Sequence, residues 1–170
     1  MSQPSNAAPA SVASSSTAPS NAAPSSAAPS KDAPKPPPAK MLPTIDDANR
    51  PFWTAAREGR LVMQQCAACG HIRNPIQALC PVCISAEFTW TELSGRGEVF
   101  AKVVYQRAFN PAWAGDIPYN LVLVQLDEGP RMYSNVIGAP NDEIRVGDRL
   151  RVVFEPANDE ISIPRFHVDR

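Results

Sequence analysis

The first 40 residues contain no Leu, Ile, Phe, Trp, Tyr or Cys, while eleven are Ala, ten Ser and nine Pro. Such a segment has almost nothing to bury against the roughly 1 to 2 kcal/mol per residue that ordering a backbone costs. Residues 1–40 are therefore expected to form a disordered, low-complexity tail, with PSNAAP at 4–9 and again at 19–24. The tail also lacks the basic start and apolar run of a secretory signal, and the Arg content of a mitochondrial transit peptide. Nowhere does an apolar stretch approach the roughly 18 residues of a membrane span, so the expectation is a soluble, cytoplasmic protein with no membrane partner. Residues 41–170 carry 13 Lys plus Arg against 16 Asp plus Glu, a formal charge of −3, and no basic stripe. Nucleic-acid affinity comes largely from cations neutralising phosphates, so that class of partner is disfavoured. There is no nucleophile elbow, no phosphate loop and no metal motif with an open position. The histidines, His71 and His167, have no evident partner in the sequence, and catalysis by the chain alone is not expected.

What is present is concentrated. CAACGHIRNPIQALCPVC holds every cysteine of the chain, as Cys66-x2-Cys69-Gly and Cys80-Pro-x-Cys83 with ten residues between the pairs. A two-residue spacer lets the chain turn back so that both sulfurs point at one centre, and two such knuckles make a tetrahedral four-sulfur site. Gly70 stands where a knuckle often needs positive φ. A disulfide framework would go with an exporting signal, and a thioredoxin-type dithiol with a single pair beside a strand-helix unit. A structural Zn2+ on Cys66, Cys69, Cys80 and Cys83 is the expectation; iron, which takes nearly the same ligands, is the less favoured metal. With four thiolates committed, the centre is closed, and His71 reads as a ribbon surface or packing residue.

Around this clip the elements are legible. Arg50 to Gly59, with Pro51 at an early helical position and Gly59 past the end, reads as a short helix. Its Phe52 and Trp53 either pack on the neighbouring domain or meet a partner or ligand. Leu61 to Gln65 is the first ribbon strand. Phe88 to Thr91 and Val99 to Tyr105 read as one long strand with a glycine kink at Gly95 and Gly97. The runs Tyr119–Leu126, Arg131–Ile137, Arg149–Phe154 and Ile161–Val168 follow as further strands. The fold class is thus mainly β: a helical segment at 41–60, a zinc ribbon at 61–86, and a five-stranded barrel of the OB type at 87–170. Phe109, Trp113, Tyr119 and Asn120 lie in or beside the loop at 106–118. They are candidates for contact with a partner or a CoA thioester; the alternative is that the loop folds back on the barrel.

The order PFWTAAREGRLV, CAACG, CPVC, SGRGEVF, PYNLVLVQLDEGPRMYSNVIG, VGDRLRVVFE and IPRF resembles the bacterial and archaeal proteins that join a rubredoxin-like zinc ribbon to an OB-fold. The likeness covers residues 43–168. It implies an accessory, noncatalytic subunit of acyl-CoA enzymes, in lipid or aromatic degradation for example. The partners so implied are thiolases, hydroxymethylglutaryl-CoA synthase, or MaoC-type hydratases and related aldolases. The accessory subunit would help shape the partner's acyl-CoA site, and the catalytic residues would be the partner's. The other class the modules allow is a nucleic-acid-binding protein, which should show a basic, aromatic strand face.

Overall fold

The computed structural model describes residues 38–169, so the tail expected to be disordered lies, but for residues 38–40, outside the described residues. The chain enters through a helix, α1 (Arg50–Arg57). Asp46 and Asn49 prepare its start by exchanging side chain and backbone: each amide N–H donates to the other's side-chain oxygen, at 3.0 and 2.9 Å. Gly59, at φ +77°, turns the chain out of the helix as expected.

Strands β1 (Leu61–Cys66), β2 (Ile72–Arg73) and β3 (Phe88–Leu93) form an antiparallel sheet in the order β2-β1-β3. Strands β4 (Arg96–Tyr105), β5 (Tyr119–Leu126), β6 (Arg131–Ser134), β7 (Arg149–Pro156) and β8 (Ser162–Val168) form a second, in the order β6-β5-β4-β7-β8. A parallel bridge between Val136 and Phe166 brings the two ends of that order together. This closure makes the curled, five-stranded OB-like barrel.

The single long strand expected over 88–105 is two strands in two sheets. β3 pairs along its length with β1, from Leu61 opposite Leu93 to Cys66 opposite Phe88, and β4 then crosses to the barrel between β5 and β7. The break is at Ser94-Gly95. Gly95 has φ +69°, and a Cβ there would lie 2.2 Å from Cγ1 of Val152, so no larger residue fits the crossing. Within β4 the pairing slips between Val99 and Ala101, where Phe100 is the extra residue of a bulge. The slip reverses the faces: Val99 is buried, whereas Val103 is exposed and Lys102 turns inward to donate to the carbonyls of Asn141 and Ile144, both at 2.7 Å.

β5 shows the alternation of a half-buried strand, with Asn120, Val122, Val124 and Leu126 inside. One core runs through both sheets: Leu61, Met63 and Leu93 pack in the same cluster as Val99, Val122, Leu150 and Phe166, with Phe52 of the helix laid against it.

Candidate metal centre and contact surfaces

The two cysteine knuckles are built alike. In the first, Gly70 N–H donates to the Cys66 carbonyl and Cys66 N–H to the His71 carbonyl; in the second, Ile84 N–H donates to Cys80 and Cys80 N–H to Ser85, all at 2.9 Å. The position after each second cysteine takes positive φ, +74° at Gly70 and +62° at Ile84. The first was legible as glycine; the second was not, because a β-branched residue there carries backbone strain.

The four Sγ atoms lie within 4.8 Å of one another, with Cys66 to Cys83 at 3.5 Å and Cys69 to Cys80 at 3.6 Å. A tetrahedral Zn2+ with Zn–S near 2.3 Å needs sulfurs about 3.8 Å apart, so the donor set fits such an ion. Burial pushes the Cys66 and Cys80 thiols up. Backbone N–H groups, of Cys69 and Ala68 onto Cys66 and of Cys83 and Val82 onto Cys80, together with hydrogen bonds from the neighbouring cysteines, lower them on balance. The His71 N–H lowers the Cys69 thiol, yet its cysteine neighbours, with Cys83 foremost, and burial push it up on balance. Four thiolates this close cannot all ionise alone; a dication at their centre removes the conflict. The four cysteines thus make a closed structural metal site, with Cys66 and Cys80 buried and Cys69 and Cys83 at the surface.

The candidate contact residues fall into two groups and one outlier. Phe52 and Trp53 meet edge to face at 4.9 Å on the helix. They line a cavity of about 380 Å3 with Val62, Met63 and Pro75. Phe109, Trp113 and Tyr119 gather at the barrel rim around Tyr105, which sequence reasoning did not single out. Tyr105 stacks on Tyr119 at 5.0 Å, as the register that pairs them requires, and Trp113 and Phe109 flank the stack at 5.6 and 6.1 Å. Lys40 caps Trp113 at 4.6 Å from the ring and pairs with Asp116 at 2.7 Å. Phe109 is 79% exposed, and the sheet face beside it carries Val103 and Tyr133, at 55% and 71%. The loop therefore folds back through Trp113 and still presents an apolar, aromatic surface.

Asn120 stands apart. It is buried, donates to the Val136 carbonyl and to Oδ1 of Asn141, and accepts from Val136 N–H, all at 2.8 Å. Its amide is spent inside the barrel wall rather than offered at the surface. Also missed was Arg73, fully buried beneath the ribbon, where it donates to the carbonyls of Gln77 and Glu87. Charged residues are seldom buried, and no local pattern marked this one.

No helix among the described residues is long and apolar enough to cross a membrane. The sequence matches the family described as "ChsH2, rubredoxin-like zinc ribbon domain" over residues 53–89 and "ChsH2, C-terminal OB-fold domain" over residues 90–155. Among relatives, a probable enoyl-CoA hydratase alpha subunit of Thermomonospora curvata is 34% identical over 132 residues, 78% of this chain and 41% of that protein. A DUF35 domain-containing scaffold protein of Pyrococcus furiosus is 31% identical over 105 residues, 60% of this chain and 74% of that protein. The chain thus spans less than half the length of the hydratase subunit. Among solved structures, a chain of an "Ltp2-ChsH2(DUF35) aldolase" superposes with a TM-score of 0.66 at 34% identity, covering 75% of this chain and 98% of that one. A Sulfolobus solfataricus protein of the DUF35 family, 16% identical with a TM-score of 0.53, shares the fold.

Proposed function

Because the chain belongs to the family that joins a ChsH2-type rubredoxin-like zinc ribbon to an OB-fold, we propose that it is a noncatalytic subunit of an acyl-CoA-processing enzyme. The observation that carries this reading is the likeness, over nearly the whole of the solved chain, to a component of an aldolase named for two proteins. A hydratase alpha subunit among the relatives points the same way. The metal is zinc, held by Cys66, Cys69, Cys80 and Cys83. It fixes the ribbon and takes no part in chemistry, since four thiolates leave no position for substrate.

The enzyme partner, a thiolase, a MaoC-type hydratase or an aldolase, docks on the rim cluster of Phe109, Trp113 and Tyr119 and the apolar sheet face beside it. Aromatic anchors of this kind dominate interface energetics. Phe52, Trp53 and their cavity offer an apolar wall to the acyl or pantetheine part of a CoA thioester. Asn120 is omitted from both surfaces, its amide being committed to the barrel.

The test is copurification of the tagged chain from its native host, with metal analysis of the complex. Recovery of an acyl-CoA enzyme in stoichiometric amount with zinc is the expected result. Trp113→Ala should weaken that complex by about tenfold, roughly 1.4 kcal/mol, with an unaltered circular dichroism spectrum; unchanged affinity would remove the rim from the interface. The nucleic-acid alternative predicts single-strand retention in a low-salt filter-binding assay. The rim and sheet face lack the cationic stripe such binding draws on.

A further inference from the structure

Where the ribbon meets the barrel, a groove of about 360 Å3 runs between the first knuckle and the β5–β6 hairpin. Both its charged lining residues are arginines, Arg73 and Arg131, and His71, Gln77 and Gln125 add polar groups. Among the other arginines, Arg60 is paired with Glu58 and Glu92, Arg149 with Asp127, Arg151 with Asp169 and Arg165 with Glu155, while Arg57, Arg96 and Arg107 have no such pair among the described residues. Arg73 and Arg131 have no acidic partner among the described residues.

They are nonetheless held in place. The Arg131 guanidinium lies 3.5 Å over the Phe100 ring, and its Nε donates to Oε1 of Gln125 at 2.7 Å. Gln125 is itself fixed by donating to the Gly129 carbonyl at 2.7 Å. The two Nη groups of Arg131, on an exposed side chain, have no hydrogen-bond partner among the described residues. Arg73, 2% exposed, lines the same groove with its guanidinium 4.9 Å from the Phe88 ring, its Nη groups donating to the Gln77 and Glu87 carbonyls and its Nε without a partner among the described residues. The side chain of Asn74 ties the two walls together by donating to the Arg131 carbonyl at 2.6 Å.

An oriented guanidinium fork with open donors, in a groove that a second, buried arginine also lines, is a preformed receptor for an oxyanion. Phosphate suits it better than a single carboxylate, because it brings more charge and three acceptor oxygens to the fork.

We infer that the ribbon–barrel groove binds a phosphate group, with Arg131 as its direct ligand and Arg73 as the buried charge in its lining. The groove shares none of the rim residues, meets the cavity at Phe52 and Trp53 through Arg73 and Asn74, and needs no enzyme partner. It can therefore stand if the subunit reading falls.

Calorimetric titration of the zinc-loaded full chain with inorganic pyrophosphate and with adenosine 3′,5′-bisphosphate tests it. Saturable binding of at least one probe is expected. Arg131→Gln should weaken it by about tenfold, and Arg131→Lys, which keeps the charge and loses the fork, by less. Arg107→Gln, outside the groove, should leave it unchanged. Tighter binding of the bisphosphate would identify a nucleotide-borne phosphate, and equal binding a free one. No saturable binding of either probe, or equal affinity in wild type and Arg131→Gln, overturns the proposal. Zinc content and circular dichroism of each variant show that loss of binding is not loss of fold.

Discussion

Asn120 shows how much a single polar side chain can hold. It bridges β5 to the segment after β6 through both ends of its amide, and the Asn135 side chain returns a bond to its carbonyl. Removing a buried, satisfied amide strands its partners at a cost of about 1–3 kcal/mol. Asn120→Ala should therefore lower the urea midpoint by an amount equivalent to about 2 kcal/mol without altering affinity for a partner. Asp127 makes a smaller contribution at the surface. The hydrogen bond from one Arg149 Nη group, shared between both carboxylate oxygens at 2.7 and 3.0 Å, holds its carboxyl below the usual carboxylate range. A carboxyl lowered in the folded state adds stability above its unfolded pKa of about 3.9, and that stability is lost as pH falls through the folded value. Asp127→Asn should accordingly narrow the difference in urea midpoint between neutral pH and about pH 3.

At the scale of elements the knuckles are the informative case. Identical hydrogen bonds require a left-handed residue after each pair, and Ile84 meets that need while 67% exposed. Ile84→Gly should raise thermal stability, by about 1 kcal/mol, because it removes strain and little packing. A drop in melting temperature would show that Ile84 packs better than its exposure indicates. The metal ligands were legible because their spacing is local, and α1 and β5 because cap residues and period-two burial are local too. The bulge at Phe100 and the crossing from β3 to β4 were not, since each depends on a strand distant in sequence: β5 sets the first, β1 and β7 the second. Arg73 was hidden for the same reason, its partners being carbonyls of the knuckle connection and of Glu87.

Across the whole molecule, the ribbon contributes Leu61, Met63 and Leu93 to the same core as the barrel, so the metal is coupled to more than its own loops. Structural zinc contributes roughly 10 to 16 kcal/mol of apparent binding energy, as much as the about 5 to 15 kcal/mol that holds a domain folded. Chelation should therefore abolish the cooperative melting transition of ribbon and barrel together; an unchanged transition after verified metal loss would uncouple them. The parallel bridge from Val136 to Phe166 also settles how the molecule presents itself to its own kind. A barrel closed on itself offers little template for strand addition, whereas β3 lies at the outer end of its sheet. Along Phe88–Leu93 one row of N–H and C=O groups faces no neighbouring strand among the described residues, so in concentrated solution self-association would begin there. Glu92, bound to Arg60 beside that row, places charge where a second copy would have to lie.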